Sequence, residues 1–280
     1  MSDDSHNDYL FWAAASQKVL DTVWDNSPDD VYNGVDVMVN HPFLEKPLDL
    51  NTTTINHDGA GFITLAAKPI TTGNTTVYFR DLESHLISHI NNADAVIGCV
   101  AWLTSKTIIE ALSHKNPVSL VVQKEDFLRP DIGSRDGWAT ELRRRYDKLR
   151  CTWGRFSMPG IVSWLSTFSD PSIQPIRCVG NHNRDKNPAF PRMHHKFIVL
   201  CRTVVSKEDE DTEFHLEPYA VWTGSFNFTE NGTRSLENAL LITEKDIIDA
   251  YVDEWARIVS LSESLDWESE WMTPEWRIGT

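Results

Sequence analysis

Cysteine is scarce in this chain, and its scarcity excludes two kinds of cross-linked fold. Only four cysteines occur among 280 residues: Cys99, Cys151, Cys178 and Cys201. They are widely spaced and form no CxxC pair, whereas disulfide frameworks and zinc ribbons need sets of closely spaced cysteines. We therefore expect reduced thiols and neither kind of scaffold.

Long apolar runs are also missing. No stretch approaches the roughly 18 unbroken apolar residues that a membrane-spanning helix requires. The first ten residues, MSDDSHNDYL, are acidic where a secretory signal would be basic and then apolar. The hydrophobic content of 41% is ordinary for a soluble globular protein. We predict a cytoplasmic protein that has no membrane partner.

Basic residues are few, and they are unevenly placed. The chain has 26 Lys and Arg against 41 Asp and Glu, a net charge of −15, which by itself disfavours a protein that coats nucleic acid. By segment, the net charge is −9 over residues 1–60, zero over 61–120, +6 over 121–200 and −12 over 201–280. We expect any polyanion to bind within the third segment.

The hydrophobic pattern indicates alternating helices and strands. The spacing over 8–25 predicts an amphipathic helix, and Thr-rich, strand-like segments follow to about residue 79. Beyond this point, DLESHLISHINNAD and TSKTIIEALSHK are typical of helices, while AVIGCVAWL and VSLVVQ are typical of buried strands. GWATELRRRYDKLR predicts a further helix, and the acidic insert SKEDEDTEFHLEP separates the strands KFIVLC and YAVWTGS. This rhythm is that of βαβ units.

Two short motifs in the second half of the chain suggest a phosphoryl-transfer site. In MHHKFIVLC, His194 and Lys196 point to the same side of a strand because side chains alternate, and His195 points to the other side. In VWTGSFNFTENG, Gly224 and Asn227 predict a turn after the next strand. An imidazole could attack phosphorus while an ammonium and neutral donors stabilise the equatorial oxygens, and such a site needs no metal.

At these residues the sequence resembles the phospholipase D superfamily, in which an HxK motif is followed by a GSxN turn and a downstream glutamate. The matching residues are His194, Lys196, Gly224, Ser225, Asn227 and Glu237, and the resemblance extends over roughly residues 78–260. It implies an α/β fold with a mixed, mostly parallel sheet flanked by helices. We accordingly divide the chain into an acidic appendage of a helix and strands (1–70) that packs on the core, a catalytic domain (71–260) and an acidic, Trp-rich tail (261–280).

The resemblance also implies the role of each residue. His194 is the nucleophile, Lys196, Ser225 and Asn227 stabilise charge, and Glu237 fixes the tautomer of His194. The superfamily pattern places Asp five residues after the lysine, and this chain has Cys201 there. Cys201 has odd strand parity relative to His194, so we expect it to face away from the phosphate and to tolerate replacement.

The chain has only one HxK motif, whereas the superfamily chemistry uses two histidines. One attacks and the other protonates the leaving group, so the resemblance implies a homodimer in which each subunit supplies one His194. No cofactor is implied. A zinc site built from Cys178 and His182 with neighbouring histidines stays an alternative, but its ligands would have to abandon the phosphate-site geometry.

We predict a metal-independent nuclease that cleaves DNA or RNA through a phosphohistidine, in a defence or DNA-processing system. The alternatives are a phosphatidyl hydrolase or transferase and a non-catalytic scaffold. The run Arg143, Arg144 and Arg145 is a candidate for contacts with the phosphate backbone, and Gly224 for contact with the substrate phosphate. The acidic ends suit a protein partner such as a motor ATPase, which Trp267, Trp271 and Trp276 could contact, although self-packing of the tail is the simpler interpretation.

Overall fold

The computed structural model describes residues 49–57, 61–65, 68–125, 128, 137–151, 155–158, 161–164, 174–181, 190–208, 211–269 and 271–274. The helix predicted over 8–25 lies outside these residues. Within the described ranges, no helix is both long and apolar enough to cross a lipid bilayer.

Twelve strands and four α-helices occur in the described part of the chain. The strands are β1 (Thr53–Ile55), β2 (Phe62–Thr64), β3 (Ile70–Thr72), β4 (Thr75–Tyr78), β5 (Ala95–Val100), β6 (Val118–Gln123), β7 (Arg155–Met158), β8 (Ile161–Trp164), β9 (Ile176–Val179), β10 (Lys196–Glu208), β11 (Asp211–Gly224) and β12 (Ala239–Ile242). The helices are α1 (Leu82–Asn92), α2 (Lys106–Ser113), α3 (Trp138–Tyr146) and α4 (Lys245–Ser260), with a 3-10 turn at Gly232–Arg234.

Eight of these strands form one mixed sheet, in the order β3-β4-β12-β11-β10-β5-β6-β9. The α/β architecture with a mixed sheet flanked by helices is thus confirmed. The expectation of a mostly parallel sheet is wrong, because only β5–β6 and β6–β9 pair in parallel. The other five pairings are antiparallel. A helix connects β5 to β6 and allows parallel pairing there, whereas β10 and β11 follow each other as a hairpin, which forces them to run in opposite directions.

The sheet is buried on both faces. Strand β5 shows this directly, since all six of its residues are buried and alternate residues join different hydrophobic clusters. Val96 and Val100 pack with the apolar sides of α1, α2 and α3, while Ile97 and Cys99 pack with α4. The result is a three-layer arrangement in which near-continuous apolar strands such as AVIGCV are stable.

The acidic insert predicted between the strands of residues 196–201 and 219–225 is instead part of the sheet. Strands β10 and β11 stay paired from Phe197 and Thr223 out to Glu208 and Asp211. The stretches RTVVS and TEFHL carry enough β-branched and aromatic residues to extend both strands, in spite of the charges around them. The insert is therefore a long hairpin arm.

The segment after α4 packs against the core. Leu265 and Trp267 are 9% and 4% exposed and belong to the cluster that includes α1, α2 and α3. The backbone of Glu263 exchanges two hydrogen bonds with Cys178 of the edge strand β9, at 2.9 and 2.8 Å. Self-packing thus accounts for Trp267, while Trp271 is 69% exposed and Trp276 lies outside the described residues.

Candidate active site

The predicted motif residues meet at one edge of the large sheet. Lys196 begins β10 and lies opposite Val100, the last residue of β5. Gly224 ends β11 and lies opposite Ala239, the first residue of β12. Because neighbouring antiparallel strands begin and end at the same edge, the HxK motif, the GSxN turn and the carboxyl ends of β5 and β6 come together there. Such an edge is where open α/β sheets bind their ligands.

Strand alternation separates the two histidines as predicted. Ile198 and Leu200, which share the parity of Lys196, lie in the cluster with α1, α2 and α3. On the opposite face, His195 Nε2 is 3.1 Å from Glu254 Oε1 of α4, and its ring contacts Phe197. His195 therefore has a structural partner away from the motif.

Cys201 lies on the same face as His195. It is fully buried in the cluster that includes α4, and burial raises the pKa of its thiol to about 12. The side chain is thus a neutral apolar group in the core, away from His194, as strand parity predicts.

We therefore expect Cys201→Ser to keep its kcat. A buried hydroxyl costs about 1–2 kcal/mol of folding free energy unless it finds a partner, so the variant should melt at a lower temperature. Steady-state kinetics with thermal unfolding of the same preparation would check this. A folded variant with a large loss of kcat would show that the thiol has a role in the site.

His194 and Lys196 contact each other directly. Lys196 Nζ is 3.1 Å from each ring nitrogen of His194 and donates to the His194 carbonyl oxygen at 3.0 Å. Partial burial and the positive charges of Lys196 and Arg192 lower the pKa of His194 to about 4. Its imidazole is neutral at pH 7 and keeps a lone pair for attack.

Lys196 is buried, and its pKa lies close to neutral pH. Its exposed fraction is 8%, and burial lowers its pKa to about 8, against the opposing effect of the Glu237 carboxylate. The ammonium is therefore still the main form at pH 7. A cation held at this depth interacts strongly with an anion because little water screens it.

Sequence reasoning missed three residues around this pair. The ring of Trp102 meets that of His194 edge to face at 5.4 Å, and Lys196 Nζ lies 5.7 Å from the Trp102 ring. Glu125 Oε1 accepts from Trp102 Nε1 at 3.2 Å and from Arg192 Nη2 at 3.1 Å. The local signal was that Trp102 lies two residues after the buried strand β5, at a strand end where site residues often lie.

The GSxN turn is built by close approach of two strand ends. A Cβ at Gly224 would lie 2.2 Å from the Asn238 carbonyl oxygen, so only glycine fits there. The Ser225 hydroxyl donates to Glu237 Oε2 and accepts from the Asn238 N–H at 3.1 Å. Its single proton thus holds Glu237, which lies close enough to Lys196 to affect its pKa.

Asn227 brings a buried polar atom to the same turn. Its Oδ1 is buried and meets no hydrogen-bond partner among the described residues. Rotation of the amide exchanges Oδ1 and Nδ2, so the same position can present a donor to an anion. This fits the predicted role of Asn227 in charge stabilisation.

The three arginines of α3 lie in different surroundings. Arg143 Nη1 donates to the carbonyl oxygens of Leu128 (2.7 Å) and Leu265 (3.2 Å), and Nη2 pairs with Asp266. Its guanidinium therefore holds the C-terminal segment, and a contact between Arg143 and substrate stays a prediction. Arg144 and Arg145 both pair with Glu141, at 2.7 and 2.8 Å.

The residues of the alternative zinc site lie only partly within the described ranges. Within the described ranges, no three His, Cys, Asp or Glu side chains cluster as a metal site would require. Cys178 is buried and its thiol donates to the Ser264 carbonyl oxygen at 3.2 Å, while His182 lies outside the described residues. The chemistry at this edge is that of a neutral imidazole beside a buried ammonium.

Comparisons with known proteins give relatives among sequences and among solved structures. No protein-family model matches the chain. Among solved structures, Nuc from Salmonella typhimurium, a phospholipase D family member, aligns with a TM-score of 0.41 at 17% identity, over 70% of this chain and 97% of Nuc. NucT from Helicobacter pylori aligns with a TM-score of 0.43 at 12% identity, over 68% of this chain and 98% of NucT. TM-scores this low establish neither the fold nor the activity of this chain.

A sequence relative is much closer. The uncharacterized protein L381 of Acanthamoeba polyphaga mimivirus is 34% identical over 200 residues, which span 69% of this chain and 67% of L381. A match of this identity over two thirds of both proteins shows common descent, and the chain belongs to the same family as L381.

Proposed function

We propose that the chain is a metal-independent phosphodiesterase of the phospholipase D superfamily, a nuclease that works through a phosphohistidine. The observation that carries this proposal is the contact between His194 and Lys196 at the sheet edge, beside the turn that carries Ser225 and Asn227. A neutral imidazole next to a buried cation is suited to attack on an anionic ester, since the cation offsets the charge that repels the nucleophile.

The reaction divides into two displacements. In the first, a ring nitrogen of His194 bonds to phosphorus while the bond from phosphorus to the leaving oxygen breaks, and that oxygen takes a proton from a second imidazole, whose protonated form the bound phosphate anion stabilises. In the second, this imidazole removes a proton from water, whose oxygen attacks phosphorus and releases His194. Lys196 and the Asn227 amide stabilise the equatorial oxygens in both steps. Ser225 holds Glu237, which supports the charged form of Lys196 and, as the resemblance implies, would fix the tautomer of His194.

The second imidazole comes from another copy of the chain in this proposal. His195 is on the opposite face of β10, against Glu254, so it cannot serve the site of its own chain. A two-fold homodimer would bring two His194 side chains to one phosphate with identical surroundings. Which His194 attacks phosphorus and which protonates the leaving oxygen would depend on how the substrate is bound.

Nucleic acid is the substrate class that the surroundings favour. Three exposed aromatic residues belong to segments that reach the same sheet edge: Phe79 directly follows β4, Phe190 shortly precedes His194, and the Trp271 carbonyl oxygen accepts from Lys124 after β6. Exposed rings beside a cationic site can stack on unpaired bases. We infer an enzyme of the cytoplasm, and a defence or DNA-processing role with a motor ATPase stays a prediction.

A substrate panel tests the function. Purified protein would be incubated with single-stranded DNA, duplex DNA, RNA and phosphatidylcholine vesicles, each with and without EDTA. We expect cleavage of a nucleic acid at the same rate in both conditions. Cleavage of the lipid alone would favour the phosphatidyl hydrolase, and no cleavage of any substrate would favour the scaffold. Activity that EDTA removes and a divalent metal restores would overturn the mechanism.

The pH dependence of kcat/KM should be bell-shaped. The attacking His194 must be neutral, so activity should fall as the pH drops through about 4. The second imidazole must carry the proton for the leaving oxygen and Lys196 must be charged, so activity should fall again as the pH rises, with Lys196 losing its proton at about 8. In Lys196→Arg the cation stays protonated over this range, so the alkaline limb should keep only the part that the second imidazole sets, and its midpoint should shift. An unchanged alkaline limb in that variant would show that Lys196 does not contribute to it.

A further inference from the structure

Gln123 is buried at the end of β6, which is separated by β5 from the strand that follows His194. Its exposed fraction is 1%. The side-chain Nε2 donates to the carbonyl oxygens of Lys124 (3.1 Å) and Asn181 (3.0 Å), and Oε1 accepts from the Met193 N–H at 2.6 Å. One side chain thus joins the ends of two parallel strands to the residue before His194.

The backbone on both sides of His194 is fixed by these neighbours. Met193 is held through its N–H by Gln123, and the His195 carbonyl oxygen accepts from the Ala101 N–H at 2.7 Å. The Gln123 N–H in turn donates to the Ala101 carbonyl oxygen at 3.1 Å, which locks the two anchors together. His194 is the single residue between them.

Other residues fit closely around the Gln123 side chain. Gly180 has φ +97°, and a Cβ there would lie 2.4 Å from Gln123 Oε1. Asn181 uses its side chain as well, donating to the Phe190 carbonyl oxygen at 2.5 Å and accepting from the Met272 N–H at 3.0 Å. The segment before His194 is therefore tied to both β6 and the C-terminal segment.

The C-terminal segment closes over the same strand end. Lys124 is fully buried, pairs with Glu263, and donates to the carbonyl oxygens of Ser269 (3.0 Å) and Trp271 (2.9 Å). Breaking such a buried network is costly, so the position of Gln123 is rigid. A rigid support for the nucleophile matters because a displacement of about 1 Å can lower a rate by roughly 100-fold.

We propose that Gln123 is a positioning residue for His194, which sets the nucleophile by holding the Met193 N–H. This inference rests on the proposed phosphodiesterase function. Gln123 does not touch the substrate; it acts through the backbone. Its loss should lower kcat and leave KM nearly unchanged, because the groups that bind the phosphate stay in place.

Two variants separate positioning from general damage. Gln123→Met keeps the size of the side chain but makes none of the three hydrogen bonds, and we expect its kcat to fall about 100-fold with KM within about twofold. Gln123→Glu keeps an acceptor for Met193, but its second oxygen faces two carbonyl oxygens unless it is protonated. The ratio of its kcat to that of the wild type should therefore rise as the pH falls, while the ratio for Gln123→Met stays flat.

A matched control is Ser262→Ala, which also removes buried hydrogen bonds. The Ser262 hydroxyl accepts from Arg177 Nε at 2.7 Å and donates to the Val259 carbonyl oxygen at 2.6 Å, and neither bond reaches the segment before His194. The variant should melt at a lower temperature and keep its kcat. All variants would be assayed well below their melting temperatures. If both folded Gln123 variants kept the wild-type kcat, or if Ser262→Ala lost as much, the positioning role would be excluded.

A measurement that does not need catalytic activity separates the test of Gln123 from the test of the proposed function. Titration of His194 followed by NMR should show its pKa rising towards the ordinary value in Gln123→Met, because the ring leaves its place beside Lys196 and Trp102, and not in Ser262→Ala. A wild type that cleaves no phosphodiester would overturn the proposed function alone. An unshifted His194 in Gln123→Met would overturn the positioning role, whether or not the wild type is active.

Discussion

His194→Ala is expected to lower kcat by roughly six orders of magnitude, the loss that removal of a covalent nucleophile causes in other hydrolases. The change should leave the fold intact, since the His194 side chain is exposed at the sheet edge and its removal opens no core cavity. The steady-state rate on the best nucleic-acid substrate, with circular dichroism and thermal unfolding, would measure both effects.

The neighbouring histidine supplies the control. His195 has the same side chain one residue away, but it faces α4, where it contacts Glu254 at 3.1 Å and Phe197. His195→Ala should keep kcat within a few-fold and lose a little stability, because an exposed pair of this kind contributes at most about 1 kcal/mol. An active His194→Ala protein, or equal losses in the two variants, would contradict the assignment of the nucleophile.

The parts of the fold that could be predicted are those set by local pattern. The runs AVIGCV and VSLVVQ are apolar at every position but one or two, which is possible only for strands covered on both faces, and both proved to be fully buried strands. The direction of pairing could not be predicted in this way. The acidic residues between β10 and β11 are typical of a loop, so the sequence did not predict how long the hairpin is. The helix between β5 and β6 is typical of parallel pairing, which the sheet has there but not among most of its other strands.

For the site, strand parity was enough to separate His194 from His195 and from Cys201. It could not supply contacts between distant parts of the chain. Met193 finds Gln123, 70 residues earlier, and Arg143 finds Asp266, 123 residues later. Local sequence gives these partners no signal, so the sequence alone predicts neither the contacts of Arg143 with the C-terminal segment nor those of Gln123 with the residue before His194.

Mixed dimers of wild-type and His194→Ala subunits should be almost inactive. If one phosphate is served by two imidazoles, one from each chain, a mixed dimer lacks either the nucleophile or the proton donor, and its rate should fall at least about 100-fold below that of the wild type. Differently tagged subunits would be mixed, purified through both tags and assayed. A dimer of wild-type and His195→Ala subunits, prepared in the same way, should keep nearly full activity.

Specific activity of the wild type should also decline on dilution, as dimers dissociate. Half the wild-type rate in the mixed dimer, or a fully active monomer at high dilution, would show that each chain carries a complete site, and the proton donor would then have to be sought within the chain itself.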